Sequence, residues 1–289
     1  MIKKLSRFLK KDVHFVYATH LSFLAGSLLA GFRSGNFIRP NLILGICIIF
    51  LAFVLKALLD YLTSNKINPY TKLSFSRQDN RSVLLITTIF LFMMLFLILY
   101  LLLQQKILIG VNLIYIILIF ALFFLPVSII GKVFAKKYDI ILEALIVSPL
   151  FFLFGMGLQH ENPISNDFVM AVPLFFCYIA TGIAFRVTDF EKESSLSDTG
   201  MIEQMGWENA SRLHNLSILL TYLPLFFYLI LTKTFAVYWP VLLSTGIALF
   251  EIFLLYRISL GIRPNWNIIR MTAILHYFTI IYILIYPII

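Results

Sequence analysis

An acidic run in the second half of the chain has the residue types and spacing of a cation site. The carboxylates of Asp189, Glu191 and Glu193 fall within five residues, in a chain in which only 13% of residues are charged. If a helix continues through the run, Asp189 and Glu193 lie four residues apart on one face and Glu191 points elsewhere. Such a pair can bind Mg²⁺, which prefers oxygen ligands and is often bound by one or two carboxylates together with substrate phosphates. The alternative is a solvated polar loop between two membrane spans.

The composition indicates a protein that crosses a membrane many times. Hydrophobic residues make up 61% of the chain, and the mean hydropathy is +0.94. Segments close to the length of about twenty residues that spans a bilayer occur at Val13–Gly31, Pro40–Leu62, Val83–Leu103, Ile107–Ile130, Ile140–Leu158, Phe168–Phe185, Asn215–Leu231, Val237–Tyr256 and Ile268–Ile288. We therefore predict an all-α integral membrane protein in which residues 1–289 form one domain of nine transmembrane helices. The first segment resembles a signal peptide, but eight further segments follow it, so we predict an uncleaved first helix.

The distribution of basic residues predicts the orientation of these helices. With the N-terminus in the cytoplasm, the segments on the inner side hold eighteen basic residues and the outer loops hold four. This bias follows the positive-inside rule and places the C-terminus outside and the acidic run inside. It also accounts for much of the net charge of +9, because basic loops face an anionic leaflet. We therefore expect membrane lipid and not nucleic acid as a partner, and a multi-pass location in the cytoplasmic membrane.

The remaining reactive residue types suggest no other site. Cys47 and Cys177 both fall within predicted spans and are expected to be free thiols. The sequence has no Gly-rich phosphate loop, no Gly-x-Ser-x-Gly elbow and no His-Glu-x-x-His motif. His20 and His276 lie in apolar segments, where hydrogen-bonded packing is the more common role.

Two polar interruptions, Thr63–Ser82 and Arg186–His214, carry the functional prediction. Asp60 ends the second predicted span and precedes the first interruption, whereas the acidic run belongs to the second. Both interruptions are predicted on the cytoplasmic side. Two polar helix ends that converge over apolar helices would suit a lipid with a charged head.

With these two interruptions, the chain resembles the UbiA superfamily of intramembrane prenyltransferases, in particular its menaquinone-pathway branch, over most of its length. That family has nine helices, with Asp-rich motifs after the second and the sixth. The stretch from Asp189 to Gly206 reads DFEKESSLSDTGMIEQMG and has the length of the second family motif. The chain then continues with Gly206, Ala210 and His214 in the family's Gly-x-x-x-Ala-x-x-x-His spacing, and Glu143 stands where that branch has a Gly-Glu.

The sequence departs from the family in both motifs. Asp60 matches the first Asp of the Asn-Asp-x-x-Asp-x-x-x-Asp motif, but Leu59, Thr63 and Ile67 occupy its other positions. In the second motif Glu193 replaces an Asp. Asp198 and Gly200 replace the family's downstream Lys and Thr, and Arg186 stands near the position of the family's Asn.

The resemblance implies an enzyme that moves a prenyl or polyprenyl group from an allylic diphosphate to a lipophilic acceptor, expected to be an aromatic quinone precursor. Mg²⁺ is the implied cofactor, and Asp60, Asp189 and Glu193 are the implied catalytic residues and metal ligands. Basic residues that could bind the diphosphate are Lys72, Arg77, Lys132, Lys136 and Lys137. Each of these is also explained by membrane topology alone.

Two charged residues inside predicted spans are further candidates. Lys56 precedes Asp60 by four residues and could orient it, as Arg186 could orient the acidic run; a salt bridge near the interface is the alternative for Lys56. Glu251, in the eighth span, is either a protonated packing residue or a base at the acceptor end. The rival to the enzyme is a catalytically degenerate member of the superfamily that binds a polyprenyl lipid or acts as a scaffold.

Overall fold

Helices make up the regular structure throughout the part of the chain that is described. The computed structural model describes residues 13–64, 75–107, 110–124, 138–159, 165–193, 201–233 and 239–286. Within these ranges the helices are α1 (Val13–Ser34), α2 (Arg39–Ser64), α3 (Phe75–Gln104), α4 (Val111–Phe124), α5 (Asp139–Leu158), α6 (Ser165–Glu193), α7 (Met201–Thr232), α8 (Val241–Ser259) and α9 (Trp266–Ile285). The prediction of an all-α membrane protein is confirmed.

Eight of these helices are long and apolar enough to cross a bilayer, judged over the described residues. The exception is α4, whose described part has 14 residues. Many large apolar side chains on α3 and α8 are exposed, such as Ile86 and Leu249 at 65% each. Apolar side chains on the outer surface are what a bilayer-facing helix requires. The ninth crossing and the orientation of the termini remain predictions.

The second polar interruption is more helical than the sequence suggested. The sixth predicted span ended at Phe185, but α6 continues to Glu193, and α7 begins at Met201, well before Asn215. An irregular loop is therefore the wrong alternative for the acidic run. A non-helical residue, Gly206, interrupts α7 with φ 77° and ψ 166°. An added Cβ there would meet nothing within 4 Å, so the positive φ is what favours glycine.

Close contacts between helices define which of them run in the same direction. In α1, Phe15 packs against Phe53 of α2, and the ring of Phe23 lies directly on Gly45. Residue numbers rise in α1 as they fall in α2, so the two helices are antiparallel.

The relation of α5 to its neighbours follows from two further sets of contacts. Gly26 and Ser27 of α1 pack against Phe152 and Gly155 of α5, respectively, so these helices are parallel. On its other side α5 is antiparallel to α6, because Ile140 packs on Gly182 and Glu143 is bonded to Tyr178, four residues earlier in α6. It follows that α2 and α6 run in the same direction and end on the same side of the bundle. We call that side the acidic end.

Candidate functional site

Phe15 of α1 fixes the relative height of the two acid-bearing helices. Its ring centroid lies 5.1 Å from that of Phe53 in α2 and 6.5 Å from that of Tyr178 in α6. From this common level, Asp60 is seven residues further along α2 and Asp189 eleven residues further along α6. At 1.5 Å per residue these steps correspond to roughly 10 Å and 16 Å along the two helices. Both acids therefore belong to the acidic end.

The acidic positions of α6 continue a stripe that already faces α5. Tyr178, Gly182, Arg186, Asp189 and Glu193 follow one another at intervals of three or four residues, which places them on one helical face. The members nearer the membrane interior contact α5. The side chains of Asp189 and Glu193 lie outside the described part, but the helical assignment on which their pairing depends is confirmed.

Arg186 is bound by two carboxylates from the first turns of α5. Its Nη1 atom lies 3.2 Å from Oδ2 of Asp139, and its Nη2 atom lies 2.9 Å from Oε1 of Glu143. The other oxygen of Glu143 accepts a hydrogen bond of 3.3 Å from the hydroxyl of Tyr178. Arg186 was predicted to orient the acidic run; among the described residues its partners are the carboxylates of α5. The family resemblance pointed to Glu143, but no sequence pattern indicated that its partner would be Arg186.

His14 lies beside this ion-pair cluster at the start of α1. Its ring stacks on Phe185 with centroids 4.5 Å apart and faces Tyr178 at 6.3 Å. The Nε2 atom is buried and has no hydrogen-bond partner among the described residues. The guanidinium of Arg270, from α9, lies 5.8 Å from the centre of the Phe185 ring on the same side of the bundle. Cationic and aromatic groups of α1, α6 and α9 thus meet around Phe185, about one turn before Asp189 in α6.

The other predicted site residues are placed only in part. Lys56 is partly buried in α2, one turn before Asp60. Asp60 and Arg77 belong to α2 and α3, but nothing is described of their side chains. Four predicted diphosphate ligands lie outside the described residues: Lys72, Lys132, Lys136 and Lys137.

The described side chains do not themselves form a metal centre. Among them, no group of three or more His, Cys, Asp or Glu residues is arranged so that it could hold a metal ion. The three predicted ligands are not part of that set. Carboxylates at the ends of two helices on one side of the bundle are nevertheless the kind of donor that Mg²⁺ takes.

A buried network at the middle of the bundle was missed by sequence reasoning. Glu251 of α8 is bonded to His214 of α7 and His276 of α9, and all three side chains are fully buried. From the sequence, His276 is interpreted as a packing residue and Glu251 as either a protonated packing residue or a base at the acceptor end. The contacts join three helices, so no spacing along the chain could reveal them. The only signal was the presence of a carboxylate inside a span.

A second buried network joins α1, α5 and α9 through Tyr277. Its hydroxyl lies 2.7 Å from Oγ of Ser22 and 3.4 Å from Oγ of Ser148. Ser148 belongs to a π-helical turn, Ile146–Leu150, that contains Pro149. The adjacent residues His276 and Tyr277 of α9 therefore bind polar partners on different helices.

Comparison of the sequence with protein-family models and with curated proteins found no match.

Proposed function

We propose that the protein is an intramembrane prenyltransferase of the UbiA type. It transfers a prenyl or polyprenyl group from an allylic diphosphate to a lipophilic aromatic acceptor. One observation carries this proposal: α6 continues unbroken to Glu193, so that Asp189 and Glu193 share a face at the end of the bundle where α2 brings Asp60.

The proposed diphosphate site lies at the acidic end. Asp60, Asp189 and Glu193 would hold Mg²⁺, which when bound supplies positive charge to the departing diphosphate. Lys132, Lys136 and Lys137 precede Asp139 in the chain and would bind phosphate oxygens in this proposal. Lys72 and Arg77 follow α2 and complete the basic set.

Arg186 has a positioning role in this proposal. Its two ion pairs with Asp139 and Glu143 fasten the start of α5 to α6, one turn before Asp189. Because both side chains of each pair are partly buried, the contact fixes the relative position of the two helices more firmly than an exposed pair would. The start of α5 is thereby held against the helix that carries the acidic face.

A direct assay tests the activity. Purified protein in detergent is incubated with prenyl diphosphates of graded length, Mg²⁺ and a panel of aromatic acceptors, and the release of diphosphate is measured. The proposal expects release that depends on both Mg²⁺ and an acceptor and that is lost in Asp189→Asn. Diphosphate release that needs no acceptor and persists in Asp189→Asn would contradict the proposal.

The second candidate function is lipid binding without catalysis. The observation that favours it is the first motif, in which only Asp60 remains and Leu59, Thr63 and Ile67 replace the other polar positions. Such a protein would bind a prenyl diphosphate in the same membrane site without turnover. Saturable binding of the diphosphate with no release under any acceptor would favour this function over the enzyme.

A further inference from the structure

Glu251 is a carboxylate bound on both oxygens in the middle of α8. Oε1 lies 3.0 Å from Nε2 of His214, and Oε2 lies 3.0 Å from Nδ1 of His276. Ten residues separate Glu251 from Val241 and eight separate it from Ser259, at either end of the helix. These steps correspond to roughly 15 Å and 12 Å, which places Glu251 close to the midpoint of the span. Ionisable groups at such a depth are costly and commonly serve proton or ion binding.

The hydrogen bonds on the far side of His276 determine that its outer ring nitrogen, Nε2, carries a hydrogen. The hydroxyl of Tyr222 donates to Oγ of Ser244 over 3.0 Å, and Ser244 donates to the carbonyl of Val241 over 2.7 Å. The hydroxyl hydrogen of Tyr222 is thus already donated to Ser244. Its oxygen must accept from Nε2 of His276, 3.0 Å away, so Nε2 carries a hydrogen. Reversing this order would cost Ser244 its bond to Val241.

The hydrogen bond beyond His214 is easier to reverse. Nδ1 of His214 lies 3.1 Å from Oδ1 of Asn215, whose side chain is exposed. A half turn of the amide presents its NH₂ group in place of the oxygen. With the oxygen toward the ring, Nδ1 carries a hydrogen; with the NH₂ group toward the ring, Nδ1 accepts one. Neither orientation breaks a buried hydrogen bond.

Counting hydrogens gives the two charge states of the site. Each of the two contacts with Glu251 holds one hydrogen, and Nε2 of His276 holds another, which makes three. With Nδ1 of His214 bare, two imidazoles and one carboxylate that share three hydrogens have no net charge. A hydrogen on Nδ1 adds one positive charge while every contact remains satisfied. The network can therefore gain or lose one proton on Nδ1 of His214 while the side-chain amide of Asn215 rotates to keep its hydrogen bond.

We propose that His214, Glu251 and His276 form an intramembrane proton-binding site whose exchangeable proton resides on Nδ1 of His214. The exchangeable proton is bound between the ring of His214 and the side-chain amide of Asn215, and His276 keeps its outer hydrogen throughout. Among the described residues, the other titratable groups that interact with Glu251 are Tyr222 of α7 and Cys177 of α6. The site is separate from the acidic end, so this proposal does not depend on the prenyltransferase activity.

The test follows the ring nitrogens directly. Full-length protein labelled with ¹⁵N-histidine is placed in lipid nanodiscs, and its spectra are recorded from about pH 5 to pH 8, where histidine changes charge. The expected result is that Nδ1 of His214 bears a proton at the acid end and loses it at the alkaline end, whereas Nε2 of His276 stays protonated. A single unchanging tautomer of His214 over this range would overturn the proposal. The network would then serve only to hold α7, α8 and α9 together.

Asn215→Asp supplies the matched variant. An ionised carboxylate only accepts hydrogen bonds, so it should hold the proton on Nδ1 across the whole range. Because the Asn215 side chain lies on the surface of the bundle, this change removes no core contact, and the introduced carboxylate is paired with the protonated ring of His214. Unaltered titration of His214 in Asn215→Asp would overturn the role of Asn215. The ring-nitrogen resonances of His214 are assigned as those missing from the spectrum of His214→Gln. If that variant does not accumulate, they are assigned as those that shift in Asn215→Asp.

Discussion

The guanidinium of Arg186 in α6 is joined to the carboxylate of Glu143 in α5 by a contact of 2.9 Å, at 25% and 18% side-chain exposure. Each group is thus largely withdrawn from water, and each would lack its countercharge if the other were removed. Asp139 shares the same guanidinium at 3.2 Å. This three-residue contact fastens α5 to α6 where the acidic stripe begins.

Arg186→Met should therefore destabilise the protein. Loss of hydrogen bonds to charged, partly buried groups costs roughly 2 kcal/mol, and two carboxylates would be left without their partner. The measurement is the midpoint of thermal unfolding in detergent. Arg212→Met is the matched control, because Arg212 pairs with Glu208 across an exposed turn of α7 at 74% and 77% exposure; such pairs contribute only about 0.3–0.5 kcal/mol. Equal shifts for the two variants would contradict the structural role of Arg186.

Asp189→Asn should reduce donor turnover far more than Glu191→Gln. Asp189 shares a helical face with Arg186 and Glu193, whereas Glu191 is offset from that face by two residues. Loss of a group that stabilises developing charge in the transition state commonly lowers turnover on the order of 100-fold. Diphosphate release by the two purified variants gives the comparison. Similar losses would show that the face of α6 does not decide the chemistry, and unchanged turnover in both would favour lipid binding without catalysis.

Mg²⁺ and the prenyl diphosphate should bind with positive coupling. With few protein carboxylates at the acidic end, Mg²⁺ alone should bind weakly, because it gives up its water ligands reluctantly. Each ligand should then raise the affinity for the other by the same factor. Titration of Mg²⁺ with and without a non-hydrolysable prenyl diphosphate analogue measures that factor.

Binding of the analogue also tests the role of the metal and the binding step that both candidate functions share. Equal binding of the analogue in Mg²⁺ and in chelator would mean that basic side chains alone hold the head group, which removes the metal from the proposed reaction. No binding at all would contradict the prenyltransferase proposal and the lipid-binding alternative together.

The glycines between α1 and α5 should not tolerate a side chain. A Cβ on Gly26 would lie 1.9 Å from the carbonyl oxygen of Phe152, and one on Gly155 would lie 2.2 Å from that of Phe23. Gly26→Ala or Gly155→Ala should thus force the two helices apart and cost about 1–3 kcal/mol. Gly246→Ala is the control, because a Cβ there meets nothing within 4 Å. Thermal unfolding should show no loss for this control, and a loss as large as that of Gly26→Ala would contradict the close crossing.

The sequence predicted the helices of the bundle well and their polar ends less well. Hydropathy located α2 and α9 to within a few residues, because a bilayer demands a long apolar segment. The same signal stopped at Phe185, although α6 continues to Glu193. Hydropathy reports where a helix leaves an apolar medium and not where its hydrogen bonding ends.

Contacts between helices were beyond the reach of sequence patterns. Glu143 was singled out by resemblance and Arg186 by its distance from the acidic run, but their ion pair depends on how α5 packs against α6. The contacts of Glu251 with His214 and His276 likewise require three helices to be placed first. Positions along one helix are predicted by its period, whereas partners on different helices depend on packing.

The π-helical turn of α5, Ile146–Leu150, has a consequence for the angular phase of that helix. A wider turn holds one residue more than a regular turn, and one residue corresponds to roughly 100° of rotation about the axis. The half that carries Asp139 and Glu143 is thereby turned relative to the half that carries Gly155. This offset lets one helix present its carboxylates to α6 at one end and its glycine to α1 at the other. Deleting a single residue within the turn would restore a uniform winding, and α5 could then satisfy only one of its two neighbours.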